Sequence, residues 1–252
     1  MPQDRPLIIA HRGASFDAPE NTLGAFRLAF EQGADGIEAD FFLTADGRIV
    51  AIHDPTTRRT CAGPDREVCR CTLAELQELD AGTWKDPMFA AEQIPTLEQV
   101  LELLPLGKVF LIEIKCGTEI LAPLAEVLRR STVTSEQLRI MSFDQEVMRQ
   151  AKQLIPHIKA YWLVEYERRG HVWEPSLDTI LQTCHEIRAD GVDTQANPEV
   201  MTQTFVAALH SAGLDVSAWT IDDPAQAATL AAAGVQFITT NRPAFLRQSL
   251  KF

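Results

Sequence analysis

The sequence predicts an α/β fold, an eight-stranded parallel barrel of the TIM (β/α)8 type with a small insertion after the second strand. Three observations lead to this prediction. Short apolar segments alternate with amphipathic segments along the 252 residues, and there are eight of each. No Gly-x-Gly-x-x-Gly motif follows an apolar segment, which disfavours the competing doubly wound open sheet. No Ser/Gly-rich linker interrupts the chain, so residues 1–252 are expected to form a single domain.

The predicted strands are short runs rich in aliphatic and β-branched side chains. Such continuous apolar runs are typical of parallel strands, which are buried on both faces. They lie at 7–11, 36–41, 109–114, 138–141, 159–163, 189–193, 214–219 and 236–240.

The predicted helices are recognised by apolar residues that recur every three or four positions. They lie at 22–32, 96–104, 119–130, 145–155, 176–186, 198–211, 224–233 and 243–250. Two of them begin with a polar cap followed by proline, Asn197 before Pro198 and Asp223 before Pro224. Gly234 stands where a helix C-terminal cap is expected.

One region, about 48–94, is too long for an ordinary connection between a strand and a helix. The Asp46-Gly47 pair is a turn signal and predicts a hairpin after the second strand. A short helix is predicted near 72–79. We expect this insertion to lie over the C-terminal ends of the barrel strands and to shape the substrate site there.

Composition and charge exclude several classes of function. Hydrophobic residues make up 46% of the chain, yet no stretch approaches the roughly 18 apolar residues of a membrane helix. The N-terminus lacks the pattern of a secretory signal, so a cytoplasmic protein without membrane contact is expected. A net charge of −12 argues against nucleic-acid or anionic-membrane partners. A small anionic substrate is still compatible, because a bound cation and local Arg or Lys can reverse the field.

The five cysteines are expected to be free thiols, since the count is odd and a cytosolic location is expected. Cys61, Cys69 and Cys71 are close enough in sequence to suggest zinc. No matching second pair or His cluster follows, which disfavours a soft-metal site.

Three carboxylates are predicted on neighbouring barrel strands. Glu38 and Asp40 are two residues apart and therefore face the same side of their strand, and Glu113 and Lys115 repeat this spacing on the next strand. Converging carboxylates repel each other unless a divalent cation neutralises them. Oxygen ligands favour Mg²⁺ or Ca²⁺ over zinc. The alternative is a structural ion pair in which Glu38 or Glu113 contacts Lys115 or Arg12.

Two histidines end predicted strands on the side where barrel enzymes place their active sites. His11 ends the first strand and His53 ends the hairpin strand, so the two form a candidate acid and base pair. The other histidines are expected at the surface: His157, His171, His185 and His210. This distribution disfavours a metal site built from strand-end histidines.

Further residues near strand ends are candidate substrate contacts. Arg12 and Lys115 are cations that can hold phosphoryl oxygens, or they can pair with the carboxylates. Trp219 fits either a pocket wall or the core, and Ser142 and Asn241 fit either substrate contacts or structural hydrogen bonds. The absence of a Gly-x-Ser-x-Gly motif disfavours a serine nucleophile.

These residues fall into an ordered set of motifs. The set comprises His11-Arg12-Gly13, Pro19-Glu20-Asn21-Thr22, Glu38-Ala39-Asp40, Thr44-Ala45-Asp46-Gly47, His53-Asp54, Glu113-Ile114-Lys115, Trp219-Thr220 and Thr239-Thr240-Asn241-Arg242-Pro243. It covers nearly the whole chain and resembles the signature of the glycerophosphodiester phosphodiesterase family, in its cytoplasmic bacterial form. Asn241 stands where that family more often has Asp.

The resemblance implies a TIM-barrel phosphodiesterase that uses a divalent metal ion, Mg²⁺ or Ca²⁺. Its substrates would be glycerophosphodiesters such as glycerophosphocholine or glycerophosphoethanolamine, and its products sn-glycerol 3-phosphate and an alcohol. By position, the resemblance implies Glu38, Asp40 and Glu113 as metal ligands, His11 and His53 as general base and acid, Arg12 and Lys115 as phosphate-binding groups, and Glu20 as a carboxylate that helps hold the metal or the glycerol.

Two rival functions are also considered. The same barrel acting on lysolipids should carry an exposed apolar lid or a membrane-binding helix, but residues 58–80 are too polar for either. A phosphodiester-binding protein without turnover should have lost a metal ligand or a histidine, and none is missing. The sequence gives no indication of the oligomeric state.

Overall fold

Eight parallel strands form a closed barrel in the computed structural model, which describes residues 5–250. The strands of the protein are β1 (Leu7–His11), β2 (Gly36–Leu43), β3 (Ile49–Ala51), β4 (Val109–Ile114), β5 (Leu138–Ser142), β6 (Lys159–Val164), β7 (Glu167–Arg169), β8 (Val172–Glu174), β9 (Gly191–Gln195), β10 (Asp215–Trp219) and β11 (Phe237–Thr240). The barrel runs β1-β2-β4-β5-β6-β9-β10-β11, and parallel pairing of β11 with β1 closes it. The predicted TIM (β/α)8 fold is confirmed.

Helices connect the barrel strands and cover the outside of the sheet. They are α1 (Leu23–Glu31), α2 (Leu73–Gln77), α3 (Leu97–Glu102), α4 (Leu121–Arg130), α5 (Gln145–Leu154), α6 (Leu177–Ile187), α7 (Gln203–Ser211), α8 (Pro224–Ala233) and α9 (Pro243–Leu250), with 3₁₀ turns at Val68–Arg70, Pro87–Phe89, Thr118–Ile120 and Ser135–Gln137. Over residues 5–250, no helix is both long and apolar enough to cross a bilayer.

Helix α7 and strand β9 begin later than the sequence predicts. Helix α7 begins at Gln203 rather than at 198, because Thr202 caps it by accepting a hydrogen bond from the N–H of Phe205. Asn197 caps only a turn before it. Strand β9 begins at Gly191 rather than at 189, because α6 ends in a left-handed residue and the chain needs a turn before the strand. The hairpin of β7 and β8 is absent from the sequence prediction, since its strands are only three residues long and mostly exposed.

The barrel interior is filled by side chains from alternate strand positions. Tyr161 of β6 and Phe237 of β11 lie on strands that are not neighbours, yet their ring centroids are 6.0 Å apart, which is possible only across the lumen. Ile9, Leu111 and Met141 belong to the same buried cluster. This apolar packing closes the middle of the barrel and separates the polar side chains at the C-terminal mouth from those at the other end, such as Arg139 and Asp215.

The insertion after the second strand is anchored directly to the barrel. Strand β3 pairs antiparallel with the end of β2, where Leu43 lies opposite Ile49. The region has a small apolar cluster of its own that includes Val68 and Leu76. The N–H of Ile52 donates to the carbonyl of Asp40 at 3.0 Å, which places the following residue beside the mouth of the barrel. That residues 1–252 act as one domain stays a prediction.

Candidate active site

Three carboxyl groups converge at the C-terminal ends of β2 and β4. In the strand register, Asp40 lies opposite Glu113, and Glu38 lies opposite His11 of β1. One carboxyl oxygen from each of Glu38, Asp40 and Glu113 lies within 4.8 Å of the others, and all three side chains are buried. The predicted convergence is therefore present in the fold.

These carboxyl groups differ in how easily they ionise in the absence of a cation. Burial, together with the neighbouring Asp40 and Glu113, raises the pKa of Glu38 well above its usual value. Burial and Asp40 raise the pKa of Glu113 to about 7, although Lys115 opposes the shift. Burial also acts against ionised Asp40, but Arg12 and other cations outweigh it, so the pKa of Asp40 is lowered. The cluster therefore lacks enough positive charge to keep all three groups ionised.

The donor set fits a divalent cation. Oε1 of Glu38 and Oδ1 of Asp40 are buried and have no hydrogen-bond partner among the described residues. Buried carboxylate oxygens of this kind are normally satisfied, and hard oxygen ligands suit Mg²⁺ or Ca²⁺. Among residues 5–250, this is the one group of acidic, His or Cys side chains close enough to hold a metal ion.

Two cations flank the carboxyl groups. Nζ of Lys115 lies 2.7 Å from Oε1 of Glu113 and 3.6 Å from Oδ1 of Asp40. Nε of Arg12 lies 3.1 Å from Oδ2 of Asp40, while its Nη1 donates to Glu20 at 2.9 Å. The ion pairs considered as an alternative to metal binding therefore exist in part. Two cations do not balance three carboxylates, so the ion pairs and a metal site are compatible.

His11 lies at the end of β1 beside this cluster. Its Nδ1 is 2.8 Å from Oδ1 of Asn241, and its Nε2 is 4.0 Å from Oε2 of Glu38. Burial and the adjacent Arg12 lower the pKa of His11 to about 4, although Asp40 and Asn241 act in the other direction. The ring is therefore neutral near pH 7 and can accept a proton.

His53 approaches the same cluster from the insertion. Its Nδ1 lies 2.6 Å from Oδ1 of Asp54, and Arg59 donates to the other Asp54 oxygen at 2.7 Å. The hydrogen bond from Arg59 lowers the pKa of Asp54 to about 2, against the effect of partial burial and with help from His53. Arg59 also donates two hydrogen bonds of 2.8 Å to Glu20. Glu20 is thus held between Arg59 and Arg12.

Sequence reasoning missed several residues that support the site. Asn21 donates to Oδ2 of Asp40 at 2.8 Å. Its place in the Pro19-Glu20-Asn21-Thr22 motif, next to Glu20, is the feature of the sequence that could have identified it. Arg59 bridges Glu20 and Asp54 from an irregular loop, where no periodic pattern predicts a partner. The carboxylate of Asp222 holds Asn241, which the sequence left as either a substrate contact or a structural group.

A cavity of about 290 Å³ opens above the carboxyl groups and joins most of the predicted site residues. It is lined by His11, Arg12, Glu38, His53, Glu113, Lys115, Met141, Phe143, Leu163, Glu165, Asp193, Trp219, Thr220 and Thr239. Trp219 therefore lies on a pocket wall, where its ring meets Phe143 edge to face at a centroid distance of 6.0 Å.

Ser142 does not line the cavity and is structural, since its hydroxyl donates to the carbonyl of Ile114 at 2.9 Å. The histidines expected at the surface are all exposed: His157, His171, His185 and His210.

The far side of the cavity floor carries a second polar cluster, on β9, β10 and β11. Asp193, Ser217 and Thr239 are buried, and each has a side-chain oxygen without a partner among the described residues. Burial raises the pKa of Asp193 to about 7. Through Asp193 and Thr239, which line the cavity, the floor offers hydrogen-bonding groups besides the three carboxyl groups of the candidate metal site.

These shifts predict how the stability of the metal-free protein depends on pH. Glu113 and Asp193 have pKa values of about 7 in the folded state, above those of the unfolded chain, near 4. Such groups stabilise the fold below pH 4, and this contribution is lost as the pH rises through 7. Between pH 5 and 8 each of the two groups should lower the unfolding free energy in EDTA by about 2.5 kcal/mol, while His11, whose pKa is lowered to about 4, should offset about 2 kcal/mol of the sum. We therefore expect a net fall of about 3 kcal/mol.

Urea titrations of the EDTA-treated protein measure this change. The matched variant Glu113→Gln is neutral throughout the range, so its stability should change less with pH. Equal slopes for the wild type and Glu113→Gln would contradict the assigned shift.

Comparisons with known proteins agree with this geometry. Residues 11–245 match the model of the glycerophosphoryl diester phosphodiesterase family. A glycerophosphodiester phosphodiesterase of Caldanaerobacter subterraneus subsp. tengcongensis is 37% identical over 246 residues, covering 95% of each chain. A putative glycerophosphodiester phosphodiesterase of Bacillus subtilis is 34% identical over 245 residues, covering 95% of this chain and 96% of the relative.

Solved structures of similar proteins share the whole fold. A phosphodiesterase of Oleispira antarctica, crystallised in complex with its product sn-glycerol-3-phosphate, is 29% identical with a TM-score of 0.87 and 98% coverage of both chains. A glycerophosphodiester phosphodiesterase of Agrobacterium tumefaciens is 28% identical with a TM-score of 0.82, covering 96% of this chain and 99% of that one. The chain therefore belongs to the glycerophosphoryl diester phosphodiesterase family and is a phosphoric diester hydrolase.

Proposed function

We propose that this enzyme hydrolyses glycerophosphodiesters to sn-glycerol 3-phosphate and an alcohol, using one divalent metal ion and two histidines. The observation that carries the proposal is the convergence of Glu38, Asp40 and Glu113 at a cavity that is lined by two of these residues and by His11 and His53. The product bound by the Oleispira antarctica relative supports glycerol 3-phosphate as the product here.

Glu38, Asp40 and Glu113 would hold the metal ion, which is Mg²⁺ or Ca²⁺ on the chemistry of its oxygen ligands. A bound divalent cation supplies positive charge that offsets the charge developing on the phosphoryl oxygens. It would also keep all three carboxyl groups ionised, which their burial otherwise opposes.

Arg12 and Lys115 are proposed to bind the nonbridging phosphate oxygens. Both line the cavity, and both already lie beside Asp40, so they are held in place before substrate arrives. Arg12 is further fixed by Glu20, which is itself held by Arg59. Prepositioned donors stabilise a transition state without the cost of reorganisation. Glu20 therefore supports the phosphate site through Arg12.

The surroundings of the two histidines suggest different roles. Buried His11 is neutral near pH 7, so it can take the proton of the nucleophile, which is water or the neighbouring glycerol hydroxyl. The Nδ1 of His53 is held by Asp54, which orients the ring and leaves Nε2 as the second proton-transfer atom of the cavity. His53 is therefore assigned as the acid that protonates the leaving alcohol.

Hydrolysis of glycerophosphocholine tests the proposal. We expect sn-glycerol 3-phosphate and choline to appear at equal rates, turnover to stop in excess EDTA, and Mg²⁺ or Ca²⁺ to restore it. Glycerol 3-phosphate is quantified with a coupled dehydrogenase assay.

A lysolipid with the same head group, supplied in parallel, tests the rival activity. Faster turnover of the lysolipid, or full turnover in EDTA, would contradict the proposal. A cytoplasmic location stays a prediction from the sequence.

A further inference from the structure

The hydrogen bonds behind His11 extend beyond the residues that line the cavity. Oδ1 of Asn241 lies 2.8 Å from Nδ1 of His11 and accepts from the hydroxyl of Ser15 at 2.9 Å. On its other side, Nδ2 of Asn241 donates to Oδ2 of Asp222 at 2.8 Å. Oδ1 of Asp222 accepts from the N–H of Asn241 and from the hydroxyl of Thr240, both at 2.8 Å.

This arrangement determines which nitrogen of His11 carries the proton. A carboxylate only accepts hydrogen bonds, so the amide group of Asn241 must turn its NH₂ toward Asp222. Its oxygen then faces His11, and Nδ1 must be the donor in that contact. In the neutral ring the lone pair is therefore on Nε2, the nitrogen nearer Glu38.

We propose that Asp222 is a positioning residue: acting through Asn241, it holds His11 in the Nδ1–H tautomer and leaves Nε2 free to accept a proton. Asp222 is not among the residues that line the cavity, so it acts on the ring without touching substrate. In the catalytic step the nucleophile loses its proton to Nε2, while Nδ1 keeps its own proton and its hydrogen bond. The inference rests on the proposed role of His11 as base.

The single variant Asp222→Asn should reverse the order of donors and acceptors. The oxygen of the new amide must still accept from the N–H of Asn241, so its NH₂ faces the side chain of Asn241. Asn241 then turns its oxygen toward position 222 and its NH₂ toward His11. His11 can meet that NH₂ only with an unprotonated Nδ1, which moves the proton to Nε2 and removes the lone pair needed there.

The reciprocal double variant should restore the original order. Asn241→Asp alone places two carboxylates in contact and should also lower activity. With Asp222→Asn added, the amide at 222 donates to the carboxylate at 241, and that carboxylate accepts from Nδ1–H of His11. A merely structural role of Asp222 gives no reason for this rescue.

The wild type, Asp222→Asn, Asn241→Asp and the double variant are assayed side by side, with glycerophosphocholine as substrate and Mg²⁺ at saturation. We expect kcat of Asp222→Asn to fall on the order of 10²-fold, with KM changed less than about threefold, and the double variant to recover at least tenfold. Asp223→Asn is the matched control. It makes the same charge change at the next residue, where Asp223 caps α8 and does not reach His11, and its kcat should stay at the wild-type level.

Nitrogen-15 NMR of histidine-labelled protein reads the tautomer directly. The His11 signals are identified by their loss in His11→Ala, and they should report a protonated Nδ1 in the wild type and a protonated Nε2 in Asp222→Asn. An unchanged tautomer in Asp222→Asn, wild-type kcat in that variant, or a double variant no better than either single one overturns the inference. Full activity of His11→Ala is a different failure, because it overturns the proposed function and leaves the NMR result untouched.

Discussion

Replacement of either active-site histidine by alanine is expected to lower kcat by about 10²- to 10⁴-fold at saturating substrate and metal. His11 and His53 both line the cavity above the carboxyl groups, and each has its Nδ1 engaged by a fixed partner, Asn241 for His11 and Asp54 for His53. Each ring therefore keeps Nε2 available for proton transfer. Release of glycerol 3-phosphate from glycerophosphocholine measures the loss.

His157→Ala is the matched control for this experiment. His157 is exposed in the turn before β6, so its removal should leave kcat within about twofold of the wild type. Circular dichroism and the melting temperature show whether each variant is folded. If folded His11→Ala and His53→Ala both keep wild-type kcat, the acid–base assignment is wrong.

Glu38→Gln is expected to change metal binding and metal-free stability in opposite directions. Loss of one charged ligand should weaken Mg²⁺ or Ca²⁺ binding by more than the roughly 10- to 100-fold seen when only a hydrogen-bond partner of a metal ligand is lost. Without metal, ionised Glu38 is unfavourable because it is buried beside Asp40 and Glu113. The neutral amide should therefore raise the melting temperature in EDTA while removing the further increase that added metal produces.

Titration calorimetry and melting curves with and without metal measure both effects. Glu102→Gln is the control, because Glu102 is exposed at the end of α3 and is not part of the carboxyl cluster. A Glu38→Gln variant that binds metal with wild-type affinity would refute the assignment of Glu38 as a ligand. A lower melting temperature in EDTA would contradict the electrostatic account of the metal-free cluster.

Much of the site was predictable because strand geometry converts sequence spacing into direction. Residues two apart on a strand share a face, so Glu38 and Asp40 had to point the same way, and the parallel order of β2 and β4 brings Glu113 beside them. The position of His11 at a strand end followed from the same reasoning. The roles of these residues stay predictions until the variants are measured.

The supporting contacts were less predictable because they join distant parts of the chain through irregular loops. Arg59 reaches Glu20 across 39 residues, and Asn241 reaches His11 across 230. The start of α7 was misplaced for a related reason: Asn197 and Thr202 are both good cap residues, and only the packed chain decides which one begins a helix.

The sequence by itself determined the barrel, because periodicity and spacing depend only on local backbone geometry, and its ordered motifs indicated the family and the candidate active side chains. The tertiary structure alone decided the protonation and orientation of those side chains. Desolvation depends on every group packed around a site, and a hydrogen-bond chain such as His11, Asn241 and Asp222 exists only once three separate segments meet.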